Sequence, residues 1–283
     1  MIPGSRKGDP RVVPRIVSWL REHVGPRAGI SVVPREVGGS GFSSDLYFIE
    51  VSGAEADERD RGAWVLRRER SRDALFPEAD FTIESRIQRA LAGSDVPVPA
   101  VPWIEDDPAV LDGRFYVMER VRGDALPHMN DGGWVAAASP RLRAQLWRSG
   151  LGALARIHAF DWEGATLSGL RSALHGASPL ESELAAWWRL YSHYSEPAFA
   201  PLVERAFERL RSATPEEERL VLCWGDARHQ NMLFRDGECV AVLDWEMAAL
   251  GAPEKDVAFL LAASRTLEEM GVPPWSSRRC PSR

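Results

Sequence analysis

The stretch from Leu222 to Glu246 constrains this chain more than any other part of it. It opens with Gly225-Asp226-Ala227-Arg228-His229-Gln230-Asn231 and closes with Leu243-Asp244-Trp245-Glu246. Val221 to Trp224 and Met232 to Phe234 are short apolar runs that read as strands. Asp236-Gly237 between two such runs is a two-residue hairpin signal, because a type I′ turn needs positive φ at both central positions. Val240 to Leu243 reads as a strand buried on both faces, ending at Asp244. A tight hairpin returns the end of its second strand to the start of its first, so Asn231 and Asp244 are expected to lie close in space. An Asp-to-Asn spacing alone is common. Its coincidence with a hairpin and a buried strand ending in Asp-Trp-Glu points to a set of converging oxygen ligands.

That set suits phosphoryl transfer from ATP. The chemistry needs a carboxylate to hold the attacking hydroxyl and oxygen ligands to hold Mg²⁺ against the phosphates. Asp226 suits the first role, and Asn231 and Asp244 the second. A metal-dependent hydrolase would instead use His229, Asp226 and Asp244 as ligands, but no second histidine stands at a ligand spacing.

The rest of the chain reads as an enzyme of ordinary composition. Its 283 residues are 45% hydrophobic and 27% charged, enough for a sizeable core or two lobes. A net charge of −6 without any aromatic-interleaved basic stripe argues against a nucleic-acid partner. Cys223, Cys239 and Cys280 share no metal or disulfide spacing, and the two in predicted strands read as buried thiols. No apolar run is long enough to span a bilayer and no signal peptide is recognisable, so the expectation is a cytoplasmic protein without a membrane partner.

Along the chain, Val12, Ile16, Leu20 and Val24 give a helix over Arg11 to Val24, with Pro14 in its first turn. Glycines at Gly38, Gly39 and Gly41, with Ser40 among them, precede an apolar strand from Leu46 to Val51. Such a loop lets backbone N–H groups approach phosphate closely, although it also serves as an ordinary flexible turn. Ala63 to Leu66 is a strand that delivers Arg67 and Arg68. Ile83, Ile87 and Leu91 mark a helix over Phe81 to Leu91, stopped by Gly93. Arg114 to Glu119 reads as another strand. Beyond Gly123 the pattern turns helical, with Leu151, Leu154, Ile157 and His158 on one helix and Leu184 to Tyr191 on another. Tyr191, His193 and Tyr194, near Trp187 and Trp188, suit either a substrate pocket or a core.

Taken together, Gly225 to Asn231 followed by Leu243 to Glu246 resemble the aminoglycoside phosphotransferase family, small-molecule relatives of protein kinases. The Trp-Gly-Asp-Ala-Arg form is similar to the branch associated with acyl-CoA dehydrogenases, and the likeness runs over roughly residues 30–270. The resemblance implies an α+β, two-lobe, protein-kinase-like fold, with a small antiparallel sheet in the N-lobe and a mostly helical C-lobe. Residues 1–118 would form the first lobe, 119–123 the hinge, 124–270 the second lobe and 271–283 a disordered tail. It implies Mg-ATP as phosphoryl donor and a small-molecule hydroxyl as acceptor, aminoglycoside-like or a hydroxyacyl thioester. By the same likeness Asp226 is the catalytic residue, Asn231 and Asp244 hold metal, and Gly38, Gly39, Ser40 and Gly41 cradle phosphate. Arg67 stands where kinases carry a phosphate-binding lysine, Glu84 would pair with it, and Glu119 to Val121 would contact adenine. Trp224 replaces a histidine usual in relatives, and Asp256 matches an aspartate that braces the catalytic loop. Relatives continue for several helices after Asp256, so the short C-terminus suggests a truncated chain. A nucleotide-binding pseudoenzyme or inactive remnant is the alternative.

Overall fold

The computed structural model describes residues 6–37, 44–53, 58–69, 81–126, 133–164, 167, 179–194, 200–213 and 219–269. The chain divides into two compact units, Met1–Ala92 with Val98–Arg122, and Gly93–Pro97 with Gly123–Arg283.

The first unit is built on one antiparallel sheet. Its strands are β1 (Arg6–Lys7), β2 (Gly29–Val37), β3 (Ser44–Ser52), β4 (Gly62–Glu69), β5 (Trp103–Glu105) and β6 (Phe115–Glu119), in the order β1-β2-β3-β4-β6-β5. Period-two alternation in β3 sends Tyr47, Ile49 and Val51 to one face, where they are buried. Helix α1 (Val13–Val24) covers that face. Its Ile16, Trp19, Leu20 and Val24 recur at helical spacing and pack with Trp64, Leu66, Phe115 and Val117. Pro14 sits in the first turn, where the missing N–H has no intrahelical partner to lose. Leu20 is fully buried, so Leu20→Ala should lower stability by about 3 kcal/mol. A urea titration would measure this, and a loss below about 1 kcal/mol would contradict the packing.

The other face of the sheet carries Val65, Tyr116 and Met118, with Leu46, Phe48 and Phe81 packed against them. Phe81 begins α2 (Phe81–Leu91). Ile87 and Leu91 are buried as the periodicity predicts, but so are the polar Glu84, Ser85 and Gln88, so the buried face is wider than the apolar stripe. Gly93 follows with φ +81°, the left-handed backbone that favours glycine. Strand β2 lacks a sequence signature because it contains Pro34. Only Glu36 and Val37 pair with β1, so Pro34 lies on a stretch where a missing N–H is tolerated.

The second unit combines helices with two small sheets. Its helices are α3 (Gly133–Ala137), α4 (Pro140–Ala159), α5 (Pro179–Tyr194), α6 (Ala200–Ser212) and α7 (Pro253–Glu269). Ser139 caps α4 by accepting from Leu142 N at 3.2 Å, and Pro140 follows in the first turn. Strand β7 (Asp124–Ala125) pairs with β9 (Met232–Arg235), which forms a hairpin with β10 (Glu238–Val242). Strand β8 (Val221–Cys223) pairs with β11 (Ala249–Gly251). The hairpin turn is the expected one, with Asp236 at φ +54° and Gly237 at +82°. Two details differ from the sequence reading. Strand β8 stops at Cys223, and within the expected run Val240 to Leu243 only Ala241 and Val242, on opposite faces of β10, are fully buried. The register shifts between Cys239 and Ala241, leaving Val240 half-buried in a bulge, and Leu243 is half-buried beyond the strand. In α5, Trp188 packs edge-on against Phe207 of α6 at 5.0 Å, and Trp187 is exposed and donates to Glu183. The side chains of His193 and Tyr194 lie outside the described residues. Among the described residues no helix is long and apolar enough to cross a membrane.

Candidate active site

Strand β8 runs out at Cys223 into a loop held by one buried carboxylate. Asp256, in the first turn of α7 and fully buried, accepts from Trp224 N through Oδ2 and from Gly225 N through Oδ1, both at 2.8 Å. Its Oδ2 also lies 2.9 Å from His158 Nε2 on α4. Two consecutive backbone amides are thus satisfied by one side chain. Gly225 has φ +91°, and a Cβ there would collide with the Met247 carbonyl group, so this position requires glycine. Trp224 is fully buried. Its indole Nε1 donates to Leu243 O at 2.9 Å and Asp244 O at 3.1 Å. The indole therefore does more than pack, since it ties the loop to the segment that carries Asp244.

Asp226 follows, 7% exposed. Its Oδ2 accepts from Asn231 Nδ2 at 2.6 Å and from Arg228 Nη2 at 2.7 Å. Burial raises the Asp226 carboxyl above its ordinary value. Arg228 and the Asn231 hydrogen bond oppose that shift, and the nearby negative charge of Asp244 adds to it. A short 3₁₀ turn over His229–Asn231 places Asn231, whose backbone N donates to Arg228 O at 3.0 Å. The hairpin then brings the chain back. Val242 is opposite Met232, and Leu243 N donates to Asn231 O at 2.9 Å, which puts Asp244 one residue beyond Asn231's backbone partner. Asp244 has φ +64°, uncommon for a residue other than glycine and most often adopted by Asn or Asp.

These contacts bear on what the site can hold. Asn231 spends its amide nitrogen on Asp226, so the atom it can offer a cation is the carbonyl oxygen. Oxygen donors from Asn231 and Asp244 match a hard divalent cation such as Mg²⁺. His229 does not fit the hydrolase ligand set. It is 1% exposed and stacks on Trp147 at 4.5 Å, with Nε2 3.4 Å from Trp147 O, and burial depresses its basicity to about 4. Cys223 and Cys239 are buried thiols, as expected, with burial pushing both up, Cys239 to about 12. His158, Cys223 and Asp256 come together, but both Asp256 oxygens are committed to the loop amides and His158. The group reads as a brace.

In the first unit, β4 presents Arg67 and α2 presents Glu84. Arg67 Nη1 lies 2.5 Å from Glu84 Oε1, with the two side chains 11% and 3% exposed. Arg67 Nε donates to Ser44 Oγ at 3.2 Å, a contact sequence reasoning did not anticipate. Only the strand register reveals it, since Leu46 is opposite Arg67 and Ser44 shares that face. Arg228 was also missed as a partner of Asp226, although its position between Asp226 and Asn231 could have suggested it. At 119–121, Glu119 N donates to Ala100 O and Arg120 N to Ala63 O, so those amides are engaged within the unit. Gly38, Gly39, Ser40 and Gly41 lie outside the described residues.

Acyl-CoA dehydrogenase family member 10 of Mus musculus is 29% identical over 222 residues, covering 77% of this chain, which spans only 19% of that protein's length. A candidate aminoglycoside phosphotransferase from Ralstonia eutropha has a similar structure, with TM-score 0.64 and 20% identity over 95% of this chain and 82% of that one. An aminoglycoside phosphotransferase in ternary complex with streptomycin and ATP superposes with TM-score 0.58 and 15% identity, covering 93% and 81% of the two chains. These likenesses establish the kinase-like α+β fold. The profile of the phosphotransferase enzyme family matches residues 36–274, a span that includes Arg67, Glu84, Asp226, Asn231 and Asp244, and the chain belongs to that family.

Proposed function

We propose that this phosphotransferase moves the γ-phosphoryl group of Mg-ATP to a hydroxyl of a small molecule. The observation that carries the reading is the buried Asp226 carboxylate held by Asn231 and Arg228, with Asp244 returned beside Asn231 by a tight hairpin. Asp226 orients the acceptor hydroxyl and takes its proton. Burial raises the carboxyl, which brings the base nearer to the operating pH. Arg228 and Asn231 fix which way the carboxylate faces. Asn231 Oδ1 and Asp244 hold Mg²⁺, which when bound neutralises charge on the phosphates. Arg67 binds phosphate and Glu84 braces it. With the Glu119 and Arg120 amides engaged, the adenine edge falls to the Glu119 carbonyl and the Val121 amide. The loose transition state leaves most of the acceleration to positioning and charge neutralisation. For the acceptor, the acyl-CoA dehydrogenase relative favours a hydroxyacyl thioester, and the streptomycin complex an aminoglycoside-like polyol.

Thermal unfolding with and without Mg-ATP tests the nucleotide reading. Mg-ATP at 100 times its dissociation constant should add about 2.7 kcal/mol of apparent stability. Asp244→Asn keeps a residue that tolerates positive φ but loses the charge, and should remove the Mg²⁺-dependent part of that shift. A cooperative transition in the wild type without any shift would count against nucleotide binding. An undiminished shift in Asp244→Asn would count against the metal assignment.

A further inference from the structure

Two of the contacts that hold Arg67 come from different elements. Nη1 meets Glu84 of α2 at 2.5 Å, and Nε donates to the hydroxyl of Ser44 at the start of β3 at 3.2 Å. Ser44 is 3% exposed and Glu84 2% exposed, so both contacts are made away from bulk water. Leu46 stands opposite Arg67 in the register, which makes Ser44 its diagonal neighbour on the same sheet face. One contact at Nη1 fixes where the guanidinium sits. The second, at Nε, restrains how its plane is rolled about the side-chain axis. Lysine has a single nitrogen at the end of its stem and no donor partway along it. A lysine at this position could still pair with Glu84 but could not use Ser44 in this way.

We infer that Ser44 is a positioning residue for nucleotide phosphate, setting the plane of the Arg67 guanidinium, and that its role depends on arginine being present at position 67. The inference deepens the proposed function and rests on Arg67 as the phosphate-binding cation. Planar donors recognise phosphate through a specific edge, so a guanidinium less restrained in its roll presents that edge for less of the time.

The test is a double-mutant cycle read by calorimetric titration with Mg-ATP and, separately, adenosine. Ser44→Ala should weaken Mg-ATP about tenfold, as loss of a hydrogen bond to a charged group predicts, and leave adenosine within about twofold. In the Arg67→Lys background the same change should alter Mg-ATP affinity by less than about twofold. Ser44→Thr and Ser44→Val have nearly the same shape and differ by the hydroxyl. Thr should restore Mg-ATP affinity and Val should not, which covers the case in which Ser44→Ala folds poorly. Equal loss in both backgrounds, equal loss for adenosine and Mg-ATP, or equal behaviour of Thr and Val would overturn the inference while leaving nucleotide binding intact. Failure of the wild type to bind Mg-ATP would overturn the nucleotide reading, and the role of Ser44 with it.

Discussion

Asp226→Asn should lower phosphoryl turnover by about 10³-fold and leave the fold no less stable than the wild type at neutral pH. The size of the activity loss is that of a general base removed from a formed site. The stability half follows from the direction of the carboxyl's shift. Burial raises the Asp226 carboxyl in the folded chain above its unfolded value, and Arg228 and Asn231 offset this only in part. The folded state therefore binds this proton more tightly than the unfolded state does. Its contribution to stability is fully present below the unfolded value and is lost as pH rises through the folded value. At neutral pH the ionised carboxylate is a burden on the fold, and the amide has no charge to desolvate. Urea midpoints of the two proteins between about pH 4 and about pH 7 would show the difference moving in favour of Asp226→Asn as pH rises. ADP release with an accepted hydroxyl substrate measures the catalytic half. Turnover near the wild-type rate would remove Asp226 from the mechanism.

Asp256→Ala should cost about 3–5 kcal/mol of stability, the range for breaking a buried, fully engaged charged group. The side chain is fully buried, and its two oxygens accept from the Trp224 and Gly225 amides. Removing it leaves two buried N–H groups without their acceptor, at about 1–3 kcal/mol each, and leaves His158 without its partner. Asp256→Asn keeps one oxygen acceptor and should lie between the two. Denaturant titration with the slope held constant would give these values. A loss below about 1 kcal/mol would mean that water or a shifted side chain satisfies the loop, and Asp256 would not be its brace.

How far the sequence alone carries the reader depends on whether a feature is local. Helix α2 falls on Phe81–Leu91 because its apolar period and Gly93 both lie within a few residues. The Asp236-Gly237 turn was legible for the same reason, and with it the approach of Asp244 to Asn231. The bulge at Val240 was not, because an extra residue in one strand is visible only against its partner. Strand β2 was hidden by Pro34, whose tolerance depends on where β1 ends. In the candidate site, Asp226, Asn231 and Asp244 could be named from spacing and turn chemistry. The Ser44 contact to Arg67 needed strand register, and the indole of Trp224 reaching Asp244 O needed the fold of two separated segments. The positive φ of Asp244 has no sequence signal of its own, since aspartate adopts that backbone only when its surroundings impose it.

The hairpin of β9 and β10 also bears on the order in which the molecule can be assembled. Asn231 and Asp244 are joined by one tight turn with no other element between them, so bringing them together closes a short loop at little entropic cost. Hairpins of this kind form in microseconds, far ahead of pairings between distant strands. As the chain emerges from the ribosome, both residues are available before α7 exists. The oxygen pair is therefore encoded in a segment that can organise itself early. The brace on the loop that leads into Asp226 has to wait for Asp256 to arrive from farther along the chain.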